Sequence, residues 1–156
     1  MILLLTATAA VGMTQGAIGF DGEGNATPTS CVHETVYEPF AGLILASVSV
    51  AGSPPLDFVV DSGATSCSVT DPLLAWALGL EIKETGLARG VGSGATRVSV
   101  AKDTCIRMDG VEVLRTSLVV HDIGTRLAAT AGREIHGFLG AELFERYVVE
   151  VCLLYT

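Results

Sequence analysis

The sequence predicts an all-β fold carrying one or two short helices. Three observations predict it. Apolar residues alternate with polar ones in short runs, as they do in half-buried strands. Turn dipeptides separate these runs, Asp109-Gly110 most clearly. Only two short segments carry helix-terminus signals.

The elements follow in order. Leu43 to Val50 and Leu56 to Val60 read as two strands of a hairpin, joined by the turn Ala51-Gly52-Ser53-Pro54-Pro55. Asp71 is placed to cap a helix, Pro72 occupies its favoured first position, and Gly79 offers the left-handed stop. Trp76, inside that helix, reads as core. Glycines at alternate positions make Gly90-Val91-Gly92-Ser93-Gly94 a pliable segment, too irregular for a dinucleotide fingerprint. Thr96 to Lys102 alternates as a strand. Cys105 to Met108 and Val111 to Leu114 flank the Asp109-Gly110 turn, and Ser117 to Val120 extends the β-rich middle. Ala141 to Arg146 reads as a helical turn, and Tyr147 to Tyr155 as a last apolar strand.

The chain has 156 residues, the size of one domain, and 49% hydrophobic residues are enough for a real core. Nine basic against seventeen acidic residues give a net charge of −8, with no basic run, so nucleic acid is excluded as a partner. Residues 1–20 begin with an apolar run that reads either as an export or membrane-associated lead segment or as a buried first strand. The run is too short to span a bilayer, and no later segment is a stable transmembrane candidate. Residues 21–38, rich in Gly, Asp, Thr and Pro, read as a flexible linker, which leaves 39–156 as the folded domain. Asn25-Ala26-Thr27 matches a glycosylation sequon.

Cys31, Cys67, Cys105 and Cys152 lack the spacing of a zinc site, and neither metal nor cofactor is expected. They are open to two readings: two disulfides in an oxidising compartment, or four small buried hydrophobes.

The segment with most chemistry is Leu56-Asp57-Phe58-Val59-Val60-Asp61-Ser62-Gly63-Ala64-Thr65. Strand-forming residues carry Asp61 directly into a Ser-Gly turn. A carboxylate at a strand end needs hydrogen bonds or a partner to stay charged. The bland reading is an Asp that caps its own turn.

This stretch resembles the retropepsin-like aspartic proteases, whose signature is a hydrophobic pair followed by Asp-Ser/Thr-Gly-Ala. The resemblance extends over residues 40–155 through the order of elements: hairpin, Asp61, capped helix, Gly-rich segment, then Phe138-Leu139-Gly140 before a short helix and a final strand. It implies a small closed β-barrel and an aspartic endopeptidase acting on peptides or proteins. Asp61 would be the catalytic carboxylate. Ser62, Gly63, Ala64 and Thr65 would form the active-site loop, with Ser62 bracing it across a dimer axis. Gly90 to Gly94 would form a flap or substrate groove, and Phe138, Leu139 and Gly140 would support the loop from beneath. One such motif per chain implies a two-fold homodimer. The departure is His136, where relatives often carry Asp. A catalytically inactive dimerisation or peptide-binding module on the same fold is the alternative, and a Cys67-dependent hydrolase a third reading. His33 and His121 read as surface residues.

Overall fold

The computed structural model describes residues 2–7, 19–20, 26–27, 32–89 and 95–152. Twelve strands and three helices are found among them. In chain order the strands are β1 (Ile2–Ala7), β2 (Gly19–Phe20), β3 (Ala26–Thr27), β4 (Val32–Phe40), β5 (Leu43–Val50), β6 (Leu56–Val60), β7 (Ser68–Val69), β8 (Ile82–Arg89), β9 (Ala95–Met108), β10 (Val111–Val120), β11 (Gly137–Leu139) and β12 (Tyr147–Cys152). The helices are α1 (Pro72–Ala77), α2 (Gly124–Ala131) and α3 (Ala141–Arg146).

The hairpins arise where the turn chemistry allows them. Ala51 and Gly52 both take positive φ, as do Asp109 and Gly110, the conformation whose twist matches two antiparallel strands. β5 pairs with β6, and β9 with β10, across these turns. The sheet then closes on itself through β5, β6, β11, β7, β10 and β9. The seam is short, with Ser49 opposite Arg107 and Val50 opposite Ile106. Six strands enclose only enough space for side chains. Val48, Val50, Phe58, Val69, Ile106, Met108, Leu118 and Leu139 fill it, all fully buried.

β11 is the unusual member. It runs parallel to β6 and antiparallel to β7, separating two strands that are neighbours in sequence. Gly137 is required there, because a Cβ would collide with the Phe58 ring and the Ser68 carbonyl. The link from β6 to β7 must therefore arch over the end of β11, and Asp61 lies at the start of that arch.

α1 forms as its caps predict. Asp71 Oδ1 accepts the Leu73 N–H at 2.8 Å, and Gly79 takes φ +68°. Its buried face is Ala75. Trp76 is corrected from core to surface, because the phase of this short helix leaves Leu73 and Trp76, three apart, 75% and 81% exposed. α2 carries no signal of its start: Ile123 precedes it, with no side-chain cap. It covers a second apolar cluster in which Leu127 and Ala131 pack on Leu45, Val59 and Ile135.

Residues 32–38, expected within a linker, form most of β4, and Tyr37 is 4% exposed. β1 pairs with both β4 and β12. Among the described residues, no helix is long and apolar enough to cross a membrane. Cys67, Cys105 and Cys152 are free thiols. Cys67 is buried, whereas Cys105 and Cys152 are half-exposed and not the buried hydrophobes expected inside their strands. Cys31 lies outside the described residues.

Candidate active site

Asp61 is placed by the two neighbours of β6. Antiparallel β5 flanks one side and parallel β11 the other, with Leu139 opposite Val60. The ladder continues one step past the strand, as the Asp61 N–H donates to the Leu139 carbonyl at 3.0 Å. The chain then turns sharply, and the Ala64 N–H returns to the Asp61 carbonyl at 3.1 Å. Inside this turn the Gly63 N–H donates to Asp61 Oδ1 at 2.8 Å. That bond is the self-capping turn of an Asp at a strand end. Among the described residues no other group hydrogen-bonds or ion-pairs with this carboxylate.

Asp61 is half-buried, while Ser62, Gly63 and Thr65 are exposed and Ala64 is half-buried. The loop rests on the residues that follow β11. The Ala141 N–H donates to the Ala64 carbonyl at 3.0 Å. A Cβ on Gly140 would stand 2.5 Å from the Ser66 carbonyl carbon and oxygen, both backbone atoms. Only a glycine lets the two segments approach so closely. Leu139 turns into the barrel core and Phe138, the alternate residue, turns to the cluster under α2. Leu139 and Gly140 thus touch the Asp61 loop, and Phe138 does not share that face. Gly90, Val91, Gly92, Ser93 and Gly94, expected as flap or substrate groove, lie outside the described residues. They join β8 to β9, whose ladder runs up to Arg89 opposite Ala95.

Glu142 carried no sequence signal that was read, and Cys67, read there as the centre of a third hypothesis, serves the loop in another way. Glu142 Oε2 accepts the Cys67 N–H at 2.7 Å, fixing the far end of the loop. A carboxylate in the first turn of α3, directly after Gly140, is the pattern that could have marked it. The Gly140 N–H also points at Cys67 Sγ, 3.3 Å away. Burial pushes the Cys67 thiol up to about 12, and the Glu142 charge adds to the effect. A thiol that is 0% exposed and held protonated is no nucleophile, which removes Cys67 as the centre of a hydrolase.

His136 stands at the far end of β11. Gly137 is level with Phe58 and Leu139 with Val60, so His136 is level with Asp57. Four residues of strand, roughly 13 Å, separate that position from Asp61. Its Nδ1 accepts the Asp57 N–H at 3.1 Å. His33 and His121, expected at the surface, are half-buried. A cavity of about 540 Å³ and another of about 330 Å³ are present, and Asp61 lines neither.

Asp61 thus stands at a strand end in a Ser-Gly turn that Gly140, after β11, approaches closely. The family model described as aspartyl protease matches residues 46–143, from β5 into α3, and so includes both Asp61 and Gly140. The chain belongs to the retropepsin-like aspartyl protease family, a membership that implies a peptide substrate. A comparison with curated proteins found no match.

Proposed function

We propose that this chain is a homodimeric aspartic endopeptidase in which Asp61 of each chain supplies one carboxylate. The observation that carries the reading is the state of the Asp61 side chain. One oxygen is oriented by Gly63, no cation among the described residues pairs with it, and it sits beside exposed loop residues. A half-site of this kind gains its missing wall and second carboxylate from a two-fold partner.

The chemistry follows from bringing two such carboxylates together. Like charges that close cannot both ionise, so the pair holds one proton. The ionised carboxylate takes a proton from a water molecule. The protonated one donates a hydrogen bond to the scissile carbonyl. Water oxygen bonds to the carbonyl carbon, giving a tetrahedral intermediate. A proton passes to the amide nitrogen, and the C–N bond breaks without an acyl-enzyme. The Gly63 bond keeps the carboxylate in place through these steps. Ser62, exposed beside Asp61, has the position to brace the loop of the partner.

Cleavage of denatured casein at about pH 5 tests the reading, comparing wild type with Asp61→Ala and reading oligomeric state from the same samples. Cleavage by a wild-type dimer, lost in Asp61→Ala, supports it. Activity retained in the variant overturns it. A folded dimer that binds peptide without turnover assigns the inactive peptide-binding alternative.

A further inference from the structure

Two irregularities in the β9–β10 ladder gather charged side chains on one outer patch. Between the pairs Glu112–Arg107 and Leu114–Ile106, β10 carries Val113 as an extra residue. Between the pairs Thr116–Thr104 and Leu118–Ala101, β9 sets Lys102 and Asp103 against the single Ser117. Side chains in an unbroken strand alternate, so residues three apart point to opposite faces. The first bulge undoes this. Val113 and Leu114 are both buried, and Glu112 and Arg115 meet outside in two hydrogen bonds of 3.0 Å. At the second bulge Asp103 takes φ +54°, and it and Lys102 are both exposed. Bulges re-aim side chains, and a left-handed non-glycine residue is a conformation the fold must hold in place.

Lys102, Asp103 and Arg115 line the cavity of about 540 Å³, together with Lys83 and Arg107. Lys83, Lys102, Arg107 and Arg115 are four of the nine cationic residues in a chain of net charge −8, and include both of its lysines. Acidic groups offset them in part. Glu81 lies 3.1 Å from Lys83, Asp103 3.9 Å from Arg115, and Glu112 4.0 Å from Arg107. The Glu81 and Asp103 side chains are 79% and 80% exposed, and pairs this open are weak enough to be exchanged for a ligand. Cys105, opposite Arg115, donates to Glu112 at 3.1 Å. Partial burial and then Glu112 raise its pKa, so it contributes a neutral wall.

We propose that this cavity binds a small multivalent anion carrying phosphate or carboxylate groups. The Arg107 guanidinium fork matches the paired oxygens of such groups, the Arg115 fork being held by Glu112, and lysines add charge without demanding geometry. The volume is that of a small-molecule site, and the charged lining does not suit an apolar ligand. The inference rests on this wall alone and is independent of any role for Asp61.

Calorimetric titration of the full chain with tripolyphosphate, and separately with citrate, tests it. Saturable one-to-one binding is expected from at least one of them, weakened by about tenfold or more in Lys102→Ala/Arg107→Ala. Lys83→Ala/Lys102→Ala, which changes only exposed side chains, repeats the test where folding is not in question. Binding of tripolyphosphate alone marks a phosphate site, and of citrate alone a carboxylate site. Arg126→Ala/Arg146→Ala removes the same charge elsewhere and is expected to leave affinity within about twofold. No saturable binding to wild type overturns the proposal, as does equal weakening in the Arg126/Arg146 control.

Discussion

Asp57 and His136 clasp each other in both directions, once through the imidazole and once through the backbone. The Asp57 N–H donates to His136 Nδ1 at 3.1 Å, and the His136 N–H donates to the Asp57 carbonyl at 2.9 Å. An accepting Nδ1 fixes the tautomer, with the proton on Nε2 facing Glu134 at 3.8 Å. The residue that departs from the family pattern is thus a brace between β6 and β11. His136→Ala is expected to lower stability by about 1 kcal/mol, the worth of one hydrogen bond. His136→Asn, which can accept from Asp57, is expected to recover part of it. Denaturant midpoints of the three proteins decide this, and an unchanged midpoint in His136→Ala removes the brace.

Gly140→Ala forces a methyl group against the Ser66 backbone. Backbone cannot swing aside as a long side chain can, so the Asp61 loop must move. A loss of about 1–3 kcal/mol is expected, with proteolysis falling further than the loss of folded protein explains. Comparing thermal melts with turnover per folded molecule separates the two effects.

Leu139→Ala leaves a cavity in the barrel and removes packing directly beneath the loop. The expected cost is about 2–5 kcal/mol, measured by chemical denaturation. A value under about 1 kcal/mol would mean that the barrel collapses around the gap.

Burial lowers the His121 pKa below the ordinary 6.5. The unfolded chain therefore takes up its proton first as pH falls, and acid favours unfolding. This stability is intact above the unfolded-state pKa and declines as pH drops through it, levelling off below the folded-state pKa. His121→Gln is expected to flatten the decline between about pH 7.5 and pH 5. An equally steep decline in the variant would assign the acid sensitivity elsewhere.

Iodoacetamide is expected to label Cys105 and Cys152 in the folded protein and to reach Cys67 only on unfolding. The contrast follows from the half-exposed positions of the first two and from the buried, protonated state of Cys67. Mass mapping of the alkylated peptides reads it directly, and rapid labelling of Cys67 in native buffer contradicts the packing described for the loop.

The parts of this fold that were legible in sequence are those whose cause is local. Ala51-Gly52 and Asp109-Gly110 announce hairpins because their backbone conformation selects the residues. Asp71, Pro72 and Gly79 announce α1 in the same way. β7 was hidden because it is two residues long and exists only through pairing with β10 and β11, far away in the chain. α2 lacks a capping side chain, and the closure of β5 on β9 rests on two residue pairs. Trp76 shows the limit of hydrophobicity alone: its helix faces the barrel through Ala75. In the site, Asp61, Gly63 and Gly140 belong to motifs. Glu142 and Cys67 act through a contact spanning 75 positions, which no local pattern records.

The insertion of β11 between β6 and β7 sets an order of events during synthesis. Asp61 emerges from the ribosome long before Leu139, yet its backbone N–H has its partner only in Leu139. Until β11 arrives, β6 is paired with β5 and β7 with β10, but nothing joins β6 to β7, and the loop between them bears no load. Such remote pairing is slow, because a long loop must close before the contact rewards it. A nascent chain carries the Asp-Ser-Gly letters without their geometry, so the Asp61 loop matures only once β11 has been made.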